Sequence, residues 1–207
     1  MARIPRKISA KTTALLIVDM QNDFVHDDGA YVRGGARAPE VAALPERLAP
    51  LVQAARAKGI FTVATQFTLV PGRGGEPMIA DHLRELRPFL RKGDFHPGSW
   101  GQQVLDALSP VDTCVEKVAF SAFYQSRLEY VLKRAGIDHV LVCGIVTNGG
   151  VASTARDAHV RDLHVTVLSD GCAAPKPSTH EAAIADLANV VAIQSCADAL
   201  TEINALA

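Results

Sequence analysis

The sequence predicts an α/β domain built on a mainly parallel sheet with helices on both faces. Three observations carry that reading. Short apolar runs alternate with segments of helical periodicity along the chain. The first run, Ala14-Leu15-Leu16-Ile17-Val18, is nearly continuous, as expected of a strand buried on both faces. Residues 140–158 then pass from strand formers, through the Gly-rich turn Gly144 to Gly150, into a helix that starts near Val151. A repeated β-then-α order implies parallel strands joined by right-handed crossovers.

Bulk properties narrow the function classes. At 207 residues the chain has the size of one α/β domain, read as residues 1–207 with 1–12 as an N-terminal arm that is poorly ordered or packs on a partner subunit. Its 21 Lys and Arg against 22 Asp and Glu give a net charge of -1, which offers no reason to expect nucleic acid or an anionic membrane as partner. No signal-peptide core or membrane-length apolar run is present, so a cytoplasmic location is expected. Cys114, Cys143, Cys172 and Cys196 stand singly, without metal-ligand or disulfide spacing, and read as small core residues.

The elements follow in order. The first strand ends in Asp19, and a Gly- and Asp-containing loop to Gly35 carries Phe24 and Tyr31 as pocket candidates. Pro39 to Lys58 has one apolar stripe, through Val41, Leu44, Leu48, Leu51 and Val52, and Gly59 stops it. Ile60 to Thr65 is the second strand, ending near Gln66. The irregular stretch from Phe67 to Ser99 carries Arg73, Arg84, Arg87, Arg91 and Lys92. Loops this long belong to a site rim or a subunit contact, and these cations either meet an anionic substrate or are simply solvated. Asp112 to Lys117 is the third strand, followed by the aromatic turn Phe120 to Tyr124 and a helix over Ser126 to Arg134. After residues 140–158 come a strand at Leu163 to Leu168, a helix at Ser178 to Leu187, a last strand at Val190 to Ile193 and a short helix.

Three strand ends define the candidate site. In a parallel sheet, Asp19, Lys117 and the turn Thr147 to Gly150 all arrive at the carboxyl edge, where open α/β sheets bind ligands. A Lys beside a carboxylate favours its ionised form and burial favours the neutral acid, so the pair sets Asp19 up for proton transfer. Free N–H groups at Val146, Thr147, Gly149, Gly150 and Val151 form a candidate oxyanion site. The alternatives remain a purely structural Asp–Lys ion pair and a plain βα connection. Phe24, Gln66, Phe120 and Phe123 are the pocket candidates, with core packing as the alternative for the phenylalanines.

The blocks LLIVDMQNDF (15–24), VEKVAFSAF (115–123) and VCGIVTNGGVASTARDA (142–158) resemble the three ordered sequence blocks of the isochorismatase-like hydrolases, also called the cysteine hydrolase superfamily. The resemblance implies a Rossmann-like three-layer sandwich with six parallel strands, assembled as a dimer or tetramer. It implies that Asp19 and Lys117 are the catalytic pair, and that a cis peptide joins Val146 to Thr147. It also implies a nucleophilic Cys near the helix start, where this chain has Gly150. Glycine offers no nucleophile, so thiolate attack cannot run from that position. A Gly there is similar to the isochorismatases that cleave a vinyl ether, but Val118 and Ala119 supply no cation beside Lys117, and the turn Thr147-Asn148-Gly149-Gly150 is similar to the amidases. The metal ligands of nicotinamidases have no counterpart at Thr65-Gln66-Phe67-Thr68, so neither metal nor cofactor is expected. The expected function is hydrolysis of a small polar or carboxylate-bearing metabolite, with Asp19 as general acid/base and water as nucleophile. A catalytically silent small-molecule-binding or structural homo-oligomer is the alternative.

Overall fold

The computed structural model describes residues 3–207. Six strands, β1 (Thr13–Val18), β2 (Phe61–Phe67), β3 (Thr113–Lys117), β4 (His139–Ile145), β5 (His164–Ala173) and β6 (Ala192–Gln194), form one sheet in the order β3-β2-β1-β4-β5-β6. Every pairing is parallel. The helices are α1 (Asn22–Val25), α2 (Ala30–Arg33), α3 (Pro39–Ala42), α4 (Leu44–Ala57), α5 (Asp81–Leu86), α6 (Leu128–Arg134), α7 (Ala152–His159), α8 (Pro177–Leu187) and α9 (Cys196–Asn204).

Period-two alternation in the strands builds the three layers. Leu15 and Ile17 of β1 face one side, where Leu44, Leu48 and Leu51 of α4 and Ala199 and Ile203 of α9 cover them. Ala14, Leu16 and Val18 face the other, against Leu128 and Leu132 of α6 and Ala155 and Ala158 of α7. Because both faces are buried, the strands read as continuous apolar runs. A third cluster, Ala30, Leu69, Leu90 and Phe95 with Phe24, Tyr31 and Phe67 against it, lies under the long loop beyond β2.

Several boundaries differ from the sequence expectation. The stripe from Pro39 to Lys58 is two helices, interrupted at Ala43 just before the Pro45 that enters α4. The second strand continues to Phe67 and the fifth to Ala173, each extended by pairing to its neighbour rather than by apolar character. The arm is tied to its own domain through Arg6 and Ile8: Arg6 pairs with Asp138 at 2.8 Å, the Ile8 amide donates to Glu202 Oε1 at 2.5 Å, and Ile8 joins the core. Met1 and Ala2 lie outside the described residues. Among the described residues no helix is long and apolar enough to cross a membrane.

The chain builds outward from β1 to β2 and β3, then returns to place β4 on the other side of β1. That reversal makes β1 and β4 the switch point, the carboxyl edge at which open α/β sheets bind their ligands.

Candidate functional site

At the switch point β1 ends in Val18, and Asp19 takes φ 55°, the left-handed region that Asp tolerates better than most residues. This bend turns the carboxylate out of the strand's alternation and into the sheet edge. β4 reaches the same place through Gly144, at φ 112°; a Cβ there would lie 2.1 Å from the Val18 carbonyl, so only glycine lets β4 pass this close to β1.

Asp19 is almost wholly buried and fully engaged. Lys117, at the end of β3, places Nζ 2.7 Å from Asp19 Oδ2 and donates to the Ala119 carbonyl at 2.9 Å. Thr65, near the end of β2, donates from Oγ1 to Asp19 Oδ1 at 2.7 Å and accepts from the Asp19 amide at 3.1 Å. Lys117 Nζ also lies 5.5 Å from the Phe67 ring centroid. Burial pushes the Asp19 carboxyl above the ordinary Asp value, the Lys117 ammonium and the Thr65 hydroxyl pull it down, and burial prevails. A buried carboxyl whose pKa is raised, with a cation beside it to receive its charge, is suited to exchanging a proton.

Beyond β4 the chain turns through a single π-type turn, Thr147–Val151, into α7. The cis peptide is Ile145-Val146, one bond earlier than the expected Val146-Thr147, because β4 runs through Ile145 and the turn begins at Val146. The amides of Gly149 and Val151 donate to the Val146 carbonyl at 2.9 and 3.2 Å. The π-type closure thus uses these two of the expected anion-site donors inside the turn. Thr147 is buried, its hydroxyl 2.8 Å from His180 Nδ1 on α8. Gly150 faces the pair: a Cβ at this position would sit 3.3 Å from Asp19 Oδ2, 3.2 Å from Val18 Cγ1 and 2.8 Å from the Ile145 carbonyl oxygen.

The pocket candidates divide. Phe120 is half-exposed and lies against Gly149, where a Cβ would meet its ring at 3.3 Å. Phe24 borders a small cavity that Tyr31, Ile145 and Val146 also line, with its ring 4.7 Å from that of Tyr31 and 4.5 Å from that of Phe95. Gln66 donates to the Gln102 carbonyl at 3.1 Å and thus holds the long loop. Phe123 takes the core alternative: it is buried with Leu128 and Leu132, with the Arg161 guanidinium 4.8 Å over its ring.

Sequence reasoning missed the groups that brace the site. Gln21 accepts from the Phe67 amide at 2.7 Å and donates to the carbonyls of Phe67 and Gln102. Asn22 donates to the Trp100 carbonyl, and Asp23 accepts from the amides of Ala30 and Phe95. These three buried polar residues after Asp19 tie the long loop to the sheet edge. Three buried-prone polar residues in a row directly after a core strand are the signal that was available. For Thr65 it was a polar β-branched residue at a strand end beside Asp19.

Three of the four thiols are buried and Cys114 is half-buried. Cys143 and Cys172 are buried, and burial pushes both far above the ordinary thiol value; Cys196 is pushed up to about 12. His82 and His96 are exposed on the long loop, and no group of three or more metal-capable side chains is found among the described residues.

Charged groups buried at the switch point of a parallel sheet define an α/β protein of the kind that works on small ligands in an edge crevice. Residues 13–199 match the isochorismatase domain. The chain is 32% identical over 195 residues to ureidoacrylate amidohydrolase RutB of Methylorubrum extorquens, covering 88% of this chain and 79% of the relative. It is 31% identical over 182 residues to the uncharacterized isochorismatase family protein YecD of Escherichia coli O157:H7, covering 86% and 88%. The fold is similar to that of a cysteine hydrolase from Pseudomonas syringae pv. phaseolicola 1448A, with TM-score 0.83, 26% identity and coverage of 100% and 98%. N-carbamoylsarcosine amidase from Thermoplasma acidophilum shares the fold at TM-score 0.70 and 24% identity over 89% of this chain and 96% of its own. The chain belongs to the isochorismatase family, within the cysteine hydrolase superfamily, and is a hydrolase of that family.

Proposed function

We propose that this single-domain hydrolase cleaves a C–N bond in a small ureido or amide metabolite bearing a carboxylate, with water rather than a thiol as nucleophile. The observation that carries this is the buried Asp19–Lys117 pair, 2.7 Å apart and 3.3 Å from where a side chain at Gly150 would begin. The sequence blocks put the family's Cys at Gly150, where this chain supplies no side chain, and in this reading the attacking water takes that place beside Asp19. In the proposed step Asp19 removes a proton from that water as its oxygen bonds to the substrate carbonyl carbon. The same proton then passes to the leaving nitrogen as the C–N bond breaks, giving a carboxylic or carbamic acid and an amine. Lys117 stabilises the ionised form of Asp19, and Thr65 fixes its orientation. The relatives named amidohydrolases favour C–N over ether cleavage. The lack of a cation at Val118 and Ala119 argues against isochorismate.

The exposed apolar side chains of Leu86, Trp100, Phe120 and Tyr124 around this edge support a homo-oligomer that covers part of them. A silent small-molecule binder is the second reading, favoured by the use of the Gly149 and Val151 amides inside the turn. It predicts a metabolite that raises the melting temperature while its own mass never changes.

The mechanism is tested by acid-quenching the enzyme during turnover of ureido acids and primary amides and weighing the intact protein. Unmodified enzyme is expected. An acyl adduct on Cys143 or Cys172 would refute water as the nucleophile.

A further inference from the structure

The site described so far has no free cation, because Lys117 is saturated by Asp19 and the Ala119 carbonyl. We infer that Arg87 supplies one and is the specificity residue that receives the substrate carboxylate; the inference rests on the hydrolase reading above. Of the five cations on the long loop, Arg73, Arg84, Arg91 and Lys92 are exposed, and Arg87 alone is half-buried. It makes no ion pair among the described residues. A partly desolvated guanidinium without an acid partner is costly unless an anion joins it, and its planar fork suits a carboxylate.

Its position is fixed from the site side. Arg87 Nε donates to the Tyr31 hydroxyl, leaving the two terminal nitrogens of the fork without a partner among the described residues. The Tyr31 ring packs on Phe24 at 4.7 Å and Phe89 at 5.1 Å. Phe24 in turn stacks near Phe67 at 6.0 Å, and Phe67 lies beneath Lys117. One aromatic wall therefore runs from the Asp19–Lys117 pair to Arg87. Tyr31, Ile145 and Val146 line the same small cavity at the turn. The Asp19 charge also reaches the Tyr31 phenol, which burial, opposed by Arg87, holds above its ordinary value. A substrate with a carboxylate at one end and a scissile C–N bond at the other would span this wall, its anion on Arg87 and its carbonyl beside Asp19.

The test is calorimetric titration of 3-ureidopropionate and of its neutral amide into wild type, Arg87→Gln and Tyr31→Phe, with melting temperatures as a check on folding. Wild type is expected to bind the acid at least tenfold tighter than the amide. Arg87→Gln is expected to lose that preference by about 10- to 100-fold while its affinity for the amide stays within about threefold. Tyr31→Phe, which keeps the charge but frees it, is expected to lose part. Equal affinity of wild type for the two compounds, no binding of either, or an unchanged preference in Arg87→Gln overturns the assignment. Turnover of the bound acid is measured separately in wild type and Asp19→Asn. Binding governed by Arg87 without any turnover would sink the hydrolase mechanism and leave the carboxylate site standing.

Discussion

Replacing Lys117 with methionine removes the ammonium from Asp19 while keeping an unbranched stem of similar length. The carboxylate then loses its 2.7 Å partner and keeps only the Thr65 hydroxyl bond. Both side chains are nearly inaccessible, 2% for Lys117 and 6% for Asp19, so water cannot take the place of the ammonium. Breaking such a pair from one side costs about 3–5 kcal/mol. The cost depends on pH in a definite direction. Asp19 already titrates above its unfolded value, so its contribution to stability is full below the unfolded pKa and is lost as pH rises through the folded pKa. Without Lys117 the folded pKa rises further, and stability keeps falling to higher pH by up to about 1.4 kcal/mol per pH unit. Urea unfolding followed by circular dichroism should show Lys117→Met close to wild type at acid pH, where Asp19 is protonated in both, and several kcal/mol weaker at pH 8. The double variant Asp19→Asn/Lys117→Met should recover most of the loss. An equal loss at both pH values, or a loss under about 1 kcal/mol at pH 8, would refute the claim that the pair is a desolvated ion pair.

Other consequences follow from the same geometry. Thr65→Val removes two bonds to Asp19 and should cost about 1–3 kcal/mol of stability and at least tenfold in turnover, read by denaturation and steady-state kinetics. Gly150→Cys brings a Cβ to 2.8 Å from the Ile145 carbonyl, so the turn must shift; about 1–3 kcal/mol of stability should be lost, and any new amidase activity should be blocked by iodoacetamide. In the native wild type iodoacetamide should label Cys114 first, the least buried of the four, without loss of activity. His139 is buried between the hydroxyls of Thr13 and Thr166, and its pKa is lowered to about 4 by burial and by Arg6 and His164. Because the folded pKa is the lower one, stability should fall by up to about 3 kcal/mol as pH drops from 6.5 to 4, and His139→Gln should flatten that slope in urea titrations.

The buried sheet was legible because its strands are near-uniform apolar runs and its helices carry single stripes. Asp19 and Lys117 were legible for a related reason: a charge at the end of an apolar strand has nowhere to go but the sheet edge. Side chains that act on backbone were much less visible. Gln21, Asn22 and Asp23 each satisfy a carbonyl or amide 72 to 81 residues away in sequence, and no local pattern encodes those partners. The same holds for Arg87, whose burial follows from how the loop folds over Tyr31. The turn misled in a specific way. Glycines at 149 and 150 suggested free amides, but the π-type closure onto Val146 engages the amides of Gly149 and Val151. Phe123 and Phe120 share a turn in the sequence, and only the packing of β3 on α6 separates the core residue from the one at the rim.

The most direct measurement is mass-spectrometric turnover by wild type beside Asp19→Asn, over ureido acids, primary amides and isochorismate. Turnover of a ureido acid or amide by wild type alone, in protein with matching melting temperatures, is the predicted result. Equal turnover by Asp19→Asn, or none by folded wild type, would contradict the account.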